Sequence, residues 1–394
     1  MAPVILSSLA YAVHIVVANQ QRTVFLQKNC ENNKHMSFIE LARSRYSCKK
    51  FDTRQSCKEQ YGSILEAGRV PSAKNLPEQH IHAVKPAERR ASRTALAAQI
   101  ILACTFLGVM SACSQAQSTD IIAEGEKPVR LSDTYSFTEG PAADARGDVF
   151  FTDQPNNKIY HWDCESGEIT LFTDQSGRSN GMYFDAHGNL IACADMDNQL
   201  WAFDTSGRSK ILVTDFGGKL LNGPNDVWIS KDGGYYLTDP YFKRDYWTRS
   251  PERQQPVEGL YYLAPGSGQL VMLDSTLNQP NGIVGTPDGK HLYVAEAKAD
   301  RILRYDIQAD GGLTNRQVFA GMGSDGMTID DRGNIYLTGD GVTVFDKKGQ
   351  KIVHFPIPED WTSNVCFGGK ERNILFITAS RSVYTLKTLV HGAK

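Results

Sequence analysis

At 394 residues the chain has room for two or three ordinary domains, or for one large repeat domain with extra segments. Lys and Arg total 42 against 44 Asp and Glu, a formal net charge of −2; no basic excess is present to neutralise phosphates, which excludes a nucleic-acid binder. The 34 glycines and 10% aromatic content suit an all-β protein rich in tight turns, and the eight cysteines include no Cys-x-x-Cys pair of the kind that holds structural zinc.

Residues 1–35 open with an apolar run from Met1 to Ala18 that lacks the basic flank of a secretory signal, and they stay unassigned. From Met36 to Ser47 the apolar spacing is helical, with Ser37 placed to cap it. This stretch, with Lys49-Lys50-Phe51-Asp52 and Pro71-Ser72-Ala73-Lys74-Asn75, resembles the start of an FMN-dependent nitroreductase. The resemblance places Arg43, Arg45 and Ser47 at a flavin phosphate and Asn75 beside the flavin. It covers residues 36–90 at most, and a fragment of that size cannot enclose an isoalloxazine ring. Neither flavin nor redox activity is expected of it.

Residues 91–119 read differently. The basic stretch from Lys85 to Arg93 precedes an apolar run of about 19 residues, Thr94 to Ala112, and then Cys113. Met110-Ser111-Ala112-Cys113 resembles a bacterial lipobox, in which the cysteine takes the lipid, and Ser114–Thr119 reads as a tether. An uncleaved anchor helix is the alternative, since such a run spans roughly 28 Å. Either way the basic flank predicts that the remainder lies outside the cytoplasm, periplasmic or at the cell surface, with the membrane reached only through this lipid or helix. A signal at an internal position implies that the first 80-odd residues are not part of the natural lipoprotein.

Residues 120–394 are periodic. Turns rich in Asp and Gly feed short apolar strands at Asp144–Asp153, Asp185–Asp195, Lys231–Asp239, Pro287–Glu296 and Asp330–Thr338, with a looser copy at Gly369–Thr378. A further strand follows each: Lys158–Trp162, Gln199–Phe203, Gly259–Leu263, Ile302–Asp306, Val342–Phe345 and Ser382–Leu386. Six such units without a helical pattern predict an all-β, six-bladed β-propeller, preceded by a short α-rich fragment and an apolar signal or anchor helix. An early strand near Pro128–Thr134 is expected to complete the last blade and close the ring. Cys164, Cys193 and Cys366, an odd set of three, read as small core residues.

Each unit carries one oxygen-bearing side chain just before its first strand: Glu139, Asn180, Asn225, Asn281, Asp325 and Asn364. A propeller maps equivalent positions onto a circle, so the six should face one central volume. Carboxylates, amide oxygens and no thiolate or imidazole make a hard-cation set, for which Ca²⁺ is the expected ion, with Zn²⁺, Mn²⁺ or Mg²⁺ as alternatives. Asn and Asp are also favoured before glycine in turns, but a glutamate is not.

Glu139-Gly140-Pro141, Pro224-Asn225-Asp226, Pro280-Asn281-Gly282 and Asp325-Gly326-Met327 closely resemble the SMP-30/gluconolactonase/LRE-like family over about residues 130–394. The resemblance implies that Glu139, Asn281 and Asp325 bind the divalent ion, that Asn225 binds metal or substrate, and that Asp325 is the general base. Animal members carry an Arg on the sugar two residues before the position of Asn225; here that place is Gly223. The implied activity is calcium-dependent hydrolysis of a small lactone. An aryl-ester or organophosphate hydrolase is the nearest alternative, and a non-catalytic ligand-binding propeller the more distant one. Further substrate contacts are expected from Asn180 and from the long connection after Asp239, where Tyr241 could stack on a sugar and Lys243 could meet an acidic substituent. No Gly-x-Ser-x-Gly elbow occurs and the histidines avoid the ring positions, which disfavours serine–histidine catalysis.

Overall fold

The computed structural model describes residues 121–249 and 252–393, so the expectations for the nitroreductase-like fragment and the signal or anchor lie outside the described residues. Among the described residues no helix is long and apolar enough to cross a membrane.

Six four-stranded antiparallel sheets are arranged as the blades of a propeller. The inner strands are Thr138–Ala143, Met182–Phe184, Val227–Ile229, Pro280–Gly285, Met327–Ile329 and Thr362–Gly368. Each passes outward through three more strands of its own blade in chain order, except in the sixth. There the outermost strand is the early segment Val129–Ser132, which pairs antiparallel with Ser382–Lys387, with Val129 opposite Thr385. The last blade is thus stitched from both ends of the domain, and no open edge interrupts the circle.

The turns form where the sequence places Asp three residues before Gly. Asp144 Oδ1 accepts the backbone N–H groups of Arg146, Gly147 and Asp148 at 2.9, 3.0 and 3.0 Å, while Gly147 takes φ 95°. Asp185 and Asp330 repeat the device, accepting from His187 and Asn189 and from Arg332 and Asn334. An Asx side chain that satisfies successive donors fixes the hairpin, and with it the strand register.

The core is divided among the interfaces of neighbouring blades. Phe151 and Trp162 of blade 1 pack on Phe376 and Val383 of blade 6; Ile191 and Leu200 of blade 2 pack with Val227, Leu237 and Tyr261 of blade 3. Each buried side chain of this size contributes roughly 1.5–3 kcal/mol relative to exposure. Because every blade shares its core with two others, the inner strand ends are held by the whole circle. The three described cysteines are free thiols, with Cys193 fully buried.

Candidate active site

The six predicted polar positions all lie at the N-terminal ends of the inner strands. Asn180, Asn225 and Asp325 stand two residues before their strands, as the sequence implies, but Glu139, Asn281 and Asn364 lie inside theirs. The pairing slips at those three places, between Glu139 and Ala142, Pro280 and Ile283, and Thr362 and Asn364. These irregularities lengthen the strand without turning the polar residue away from the centre.

Glycine after the ring residue lets adjacent blades touch backbone to backbone. Gly181 N–H donates to Asn225 O at 2.6 Å and Gly282 N–H to Asp325 O at 2.6 Å; Gly326 N–H reaches Ser363 O at 2.8 Å. A Cβ on Gly282 would stand 2.5 Å from the Asp325 carbonyl oxygen. Threonines on the next strand out add a second latch. Thr238 Oγ1 donates to Asn281 O at 2.7 Å and Thr338 Oγ1 to Ser363 O at 2.9 Å. At the far end of the same strand pattern, Asp239 accepts the N–H groups of Asn222 and Gly223, both at 2.9 Å, and so shapes the loop that presents Asn225. This role of the threonines and of Asp239 is not visible in the sequence, although the recurring Leu-Thr-Asp and Phe-Thr-Asp strand ends carry it.

The ring side chains are linked in two pairs. Asn281 Nδ2 donates to Asp325 Oδ1 at 2.8 Å, and Asn364 Nδ2 to Glu139 Oε2 at 3.2 Å. Glu139 also accepts from Gly140 N–H at 3.0 Å, and the other side of Asn364 accepts from Val365 N–H at 2.8 Å, so Asn364 is spent within the protein. Asp325 Oδ2 takes the indole N–H of Trp361 at 2.6 Å; that indole is 45% exposed, at the rim. Asn225 Oδ1 is buried with no hydrogen-bond donor at all. Burial, then the neighbouring Asp325 charge, raises the Glu139 carboxyl well above the usual range, and burial likewise raises Asp325. Asp226, beside Asn225, is pushed by burial up to about 7 while accepting the Val227 and Ile283 N–H groups.

A buried carboxylate, Glu139, a half-buried one, Asp325, and an orphaned amide oxygen gather oxygen acceptors in one place. All its acceptors are oxygens, and among the described residues no group of three His, Cys, Asp or Glu offers a different metal centre. The chemistry of this donor set fits a hard divalent cation held by Glu139, Asn225, Asn281 and Asp325. Asn180 is buried beside them, its backbone N–H bonded to Cys193 O at 3.0 Å.

The connection after Asp239 contributes more than the two residues expected of it. Tyr241 is half-buried, its N–H bonded to Glu258 Oε1 at 3.0 Å and its ring packed against Trp247 and Arg253; Lys243 is exposed. Their neighbours Arg244 and Tyr246 turn inward: both are partly buried, Arg244 faces Asp195 at 3.8 Å and the Arg178 guanidinium covers the Tyr246 ring, while the Arg244 charge favours ionised Asp325. Asp195, on blade 2, holds this connection. Its Oδ2 accepts Trp247 Nε1 and Gln154 Nε2, both at 3.3 Å, and its Oδ1 faces Arg249 at 3.6 Å. The Arg249 guanidinium lies over the Trp247 ring at 3.6 Å, and Asp195 Oδ1, with Arg249 Nη2 behind it, occupies the space beside Gly223 that a side chain would otherwise take. Further along the inner strands a cavity of about 1170 Å³ is lined by Met182, Trp228, Ile283, Met327 and Val365 and reaches Asp226 and Asn364; Glu139, Asn225, Asn281 and Asp325 do not line it.

Residues 137–381, more than half the chain, match the family model of the SMP-30/gluconolactonase/LRE-like region. The chain belongs to this family. A gluconolactonase of Zymomonas mobilis is 28% identical over 69% of this chain and 85% of its own. A lactonase of Staphylococcus aureus, drp35, is 28% identical over 56% of this chain and 69% of its own. The solved structure of a gluconolactonase from Xanthomonas campestris superposes with a TM-score of 0.65 at 28% identity, covering 69% of this chain and 93% of that one. Its relatives thus place this family member among lactonase-like propellers. Residues 42–122 match the nitroreductase family model, a span that runs past Cys113.

Proposed function

We propose that the protein hydrolyses a small lactone at the axial ring, with calcium as the resident cation and Asp325 as the base. The observation that carries this reading is Asn225 Oδ1, a buried acceptor without a donor, set among two carboxylates whose mutual repulsion burial does nothing to relieve. An unpaired buried polar atom costs roughly 1–3 kcal/mol, so its retention at the centre of a converging ring points to a ligand.

When bound, a divalent cation there supplies polarisation of the lactone carbonyl and offsets the charge that gathers on its oxygen. The remaining work falls to the chain. Asn281 and Trp361 each donate to one oxygen of Asp325, which fixes the carboxylate in orientation at the mouth. Asp325 takes a proton from the water that attacks the carbonyl carbon; a C–O bond forms to that water and the ring C–O bond breaks. The same proton passes from Asp325 to the departing ring oxygen, leaving a hydroxy acid and the carboxylate as it began. Glu139, tied by Gly140 and Asn364, stays in place as a ligand.

The test is turnover of glucono-1,5-lactone with calcium, with chelator, and after calcium is restored, beside Asp325→Ala. The expected result is reversible loss with chelator and a fall of roughly 10²–10⁴ in kcat for the variant, with the circular dichroism of the propeller unchanged. Full turnover in chelator would remove the cation from the reading. A folded protein that opens no lactone or ester in calcium would make it a binding propeller.

A further inference from the structure

The mouth of the ring is asymmetric in charge, and the excess lies on the blade 3 connection. Asp195 is the carboxylate that this connection gathers around, and its hydrogen-bonding capacity is already taken. Trp247 and Gln154 occupy Oδ2, and Arg249 stands closer to Oδ1 than Arg244 does to Oδ2. Arg244 faces Asp195 only at 3.8 Å, beyond hydrogen-bond distance, and its Nε is buried with no partner. The Tyr246 hydroxyl, next to it, is buried with no hydrogen-bond partner either. Its ring is covered by the Arg178 guanidinium at 4.6 Å. Two buried donors therefore stand around Asp195 without a partner at hydrogen-bond distance, beside a second and a third arginine.

This cluster adjoins the loops that present the ring: Arg249 Nη2 donates to Asn222 O at 2.7 Å, Asp195 Oδ1 lies against Gly223, two residues before Asn225, and Arg178, over Tyr246, is two residues before Asn180. We infer that Arg244 and Tyr246 form an anion-gripping wall of the lactone site, so that the preferred substrate is a lactone bearing a second, ionised carboxylate. The inference rests on the lactonase reading and narrows it. Arg244 meets the carboxylate by charge and its Nε–H, and the Tyr246 hydroxyl donates to a carboxylate oxygen or to an adjacent ring hydroxyl.

D-Glucaro-1,4-lactone and D-glucono-1,4-lactone share the ring and differ only in a terminal carboxylate against a hydroxymethyl group. In calcium, kcat/KM should favour the acidic lactone by about tenfold or more, the size of one charge-assisted hydrogen bond. Arg244→Gln should bring that ratio near one, chiefly through KM, and Arg244→Lys should restore part of it. Tyr246→Phe should lower the ratio less. Calorimetric binding of the ring-opened acids in excess calcium gives a readout that needs no turnover: glucarate should bind more tightly than gluconate, and Arg244→Gln should erase the difference. Turnover of both lactones without preference, or a ratio that Arg244→Gln leaves intact, would overturn the inference while the lactonase reading stands. Hydrolysis of neither lactone, with glucarate binding still dependent on Arg244, would sink the lactonase reading and keep the anion wall.

Discussion

The axial ring and the blade 3 connection sit at the same mouth but are built on opposite principles. Every ring residue occupies one position of a repeat, and neighbouring blades clamp it through backbone hydrogen bonds and buried threonines. The connection after Asp239 occurs once, is held by side chains gathered around Asp195, and leaves donors unpaired. The difference separates two tasks. A rigid, repeated frame can hold two repelling carboxylates close enough for a cation, while a single aperiodic loop can vary which lactone is offered to them.

The two regions meet at Asp239, and the largest stability effect is expected there. Burial pushes its carboxyl up to about 7, against the N–H groups of Asn222 and Gly223 and the charge of Arg249, which pull it down. The folded protein therefore holds a proton that the unfolded chain releases near pH 4. Stability is full below that pH and falls as the pH rises through 7, by at most about 4 kcal/mol for this group. Asp226, Glu139 and Asp325 slope the same way in metal-free protein, so the comparison must be with a variant. Asp239→Asn should be less stable at pH 5, having lost an acceptor, yet lose less between pH 5 and pH 8 in denaturant titrations. Parallel slopes for the two proteins would show Asp239 ionised throughout.

A smaller effect should break the ring side alone. Gly282→Ala puts a methyl group 2.5 Å from the Asp325 carbonyl oxygen and weakens the bond that Gly282 N–H makes there. Overpacking of this kind costs about 1–3 kcal/mol. The displacement falls on Asn281 and Asp325 together, so calcium affinity measured by calorimetry should drop as well. A variant with lowered melting temperature but wild-type calcium affinity would mean that the frame is more compliant than its contacts imply.

The repeat explains what could be read in advance. Lys158–Trp162, Gln199–Phe203 and Gly259–Leu263 are strands with the bounds expected of them, because Asp and Gly turns punctuate the chain on either side. The six polar positions could be picked out for the same reason, since a circle of blades brings one position of each repeat to the same end of its inner strand. Three of them lie inside strands, because a slipped pairing is a property of two strands and leaves no mark in either. The role of Gly140, Gly181, Gly282 and Gly326 as points of close approach belongs to the next blade, not to their own. Arg244 and Tyr246 lie in the connection that the sequence singles out, but nothing there ranks them above Tyr241 and Lys243. All four have suitable chemistry, and only contacts with Asp195, on a different blade, decide which turn inward.

That distinction within one short loop yields the smallest expected effect and the sharpest contrast. Lys243 is exposed, whereas Arg244, the next residue, is partly covered and acts on Asp325. Removing an exposed lysine away from any packed feature changes stability by less than about 0.5 kcal/mol. Its charge, one residue from the mouth, should act on the approach of an anionic lactone and not on the bound state. Lys243→Ala should therefore lower kcat/KM for an acidic lactone by less than about twofold, and added salt should remove even that, since screening acts over roughly 10 Å at 0.1 M. A salt-insensitive loss of the size expected for Arg244→Gln would place the Lys243 ammonium against the substrate itself, and would extend the anion-binding wall to the outer turn of the connection.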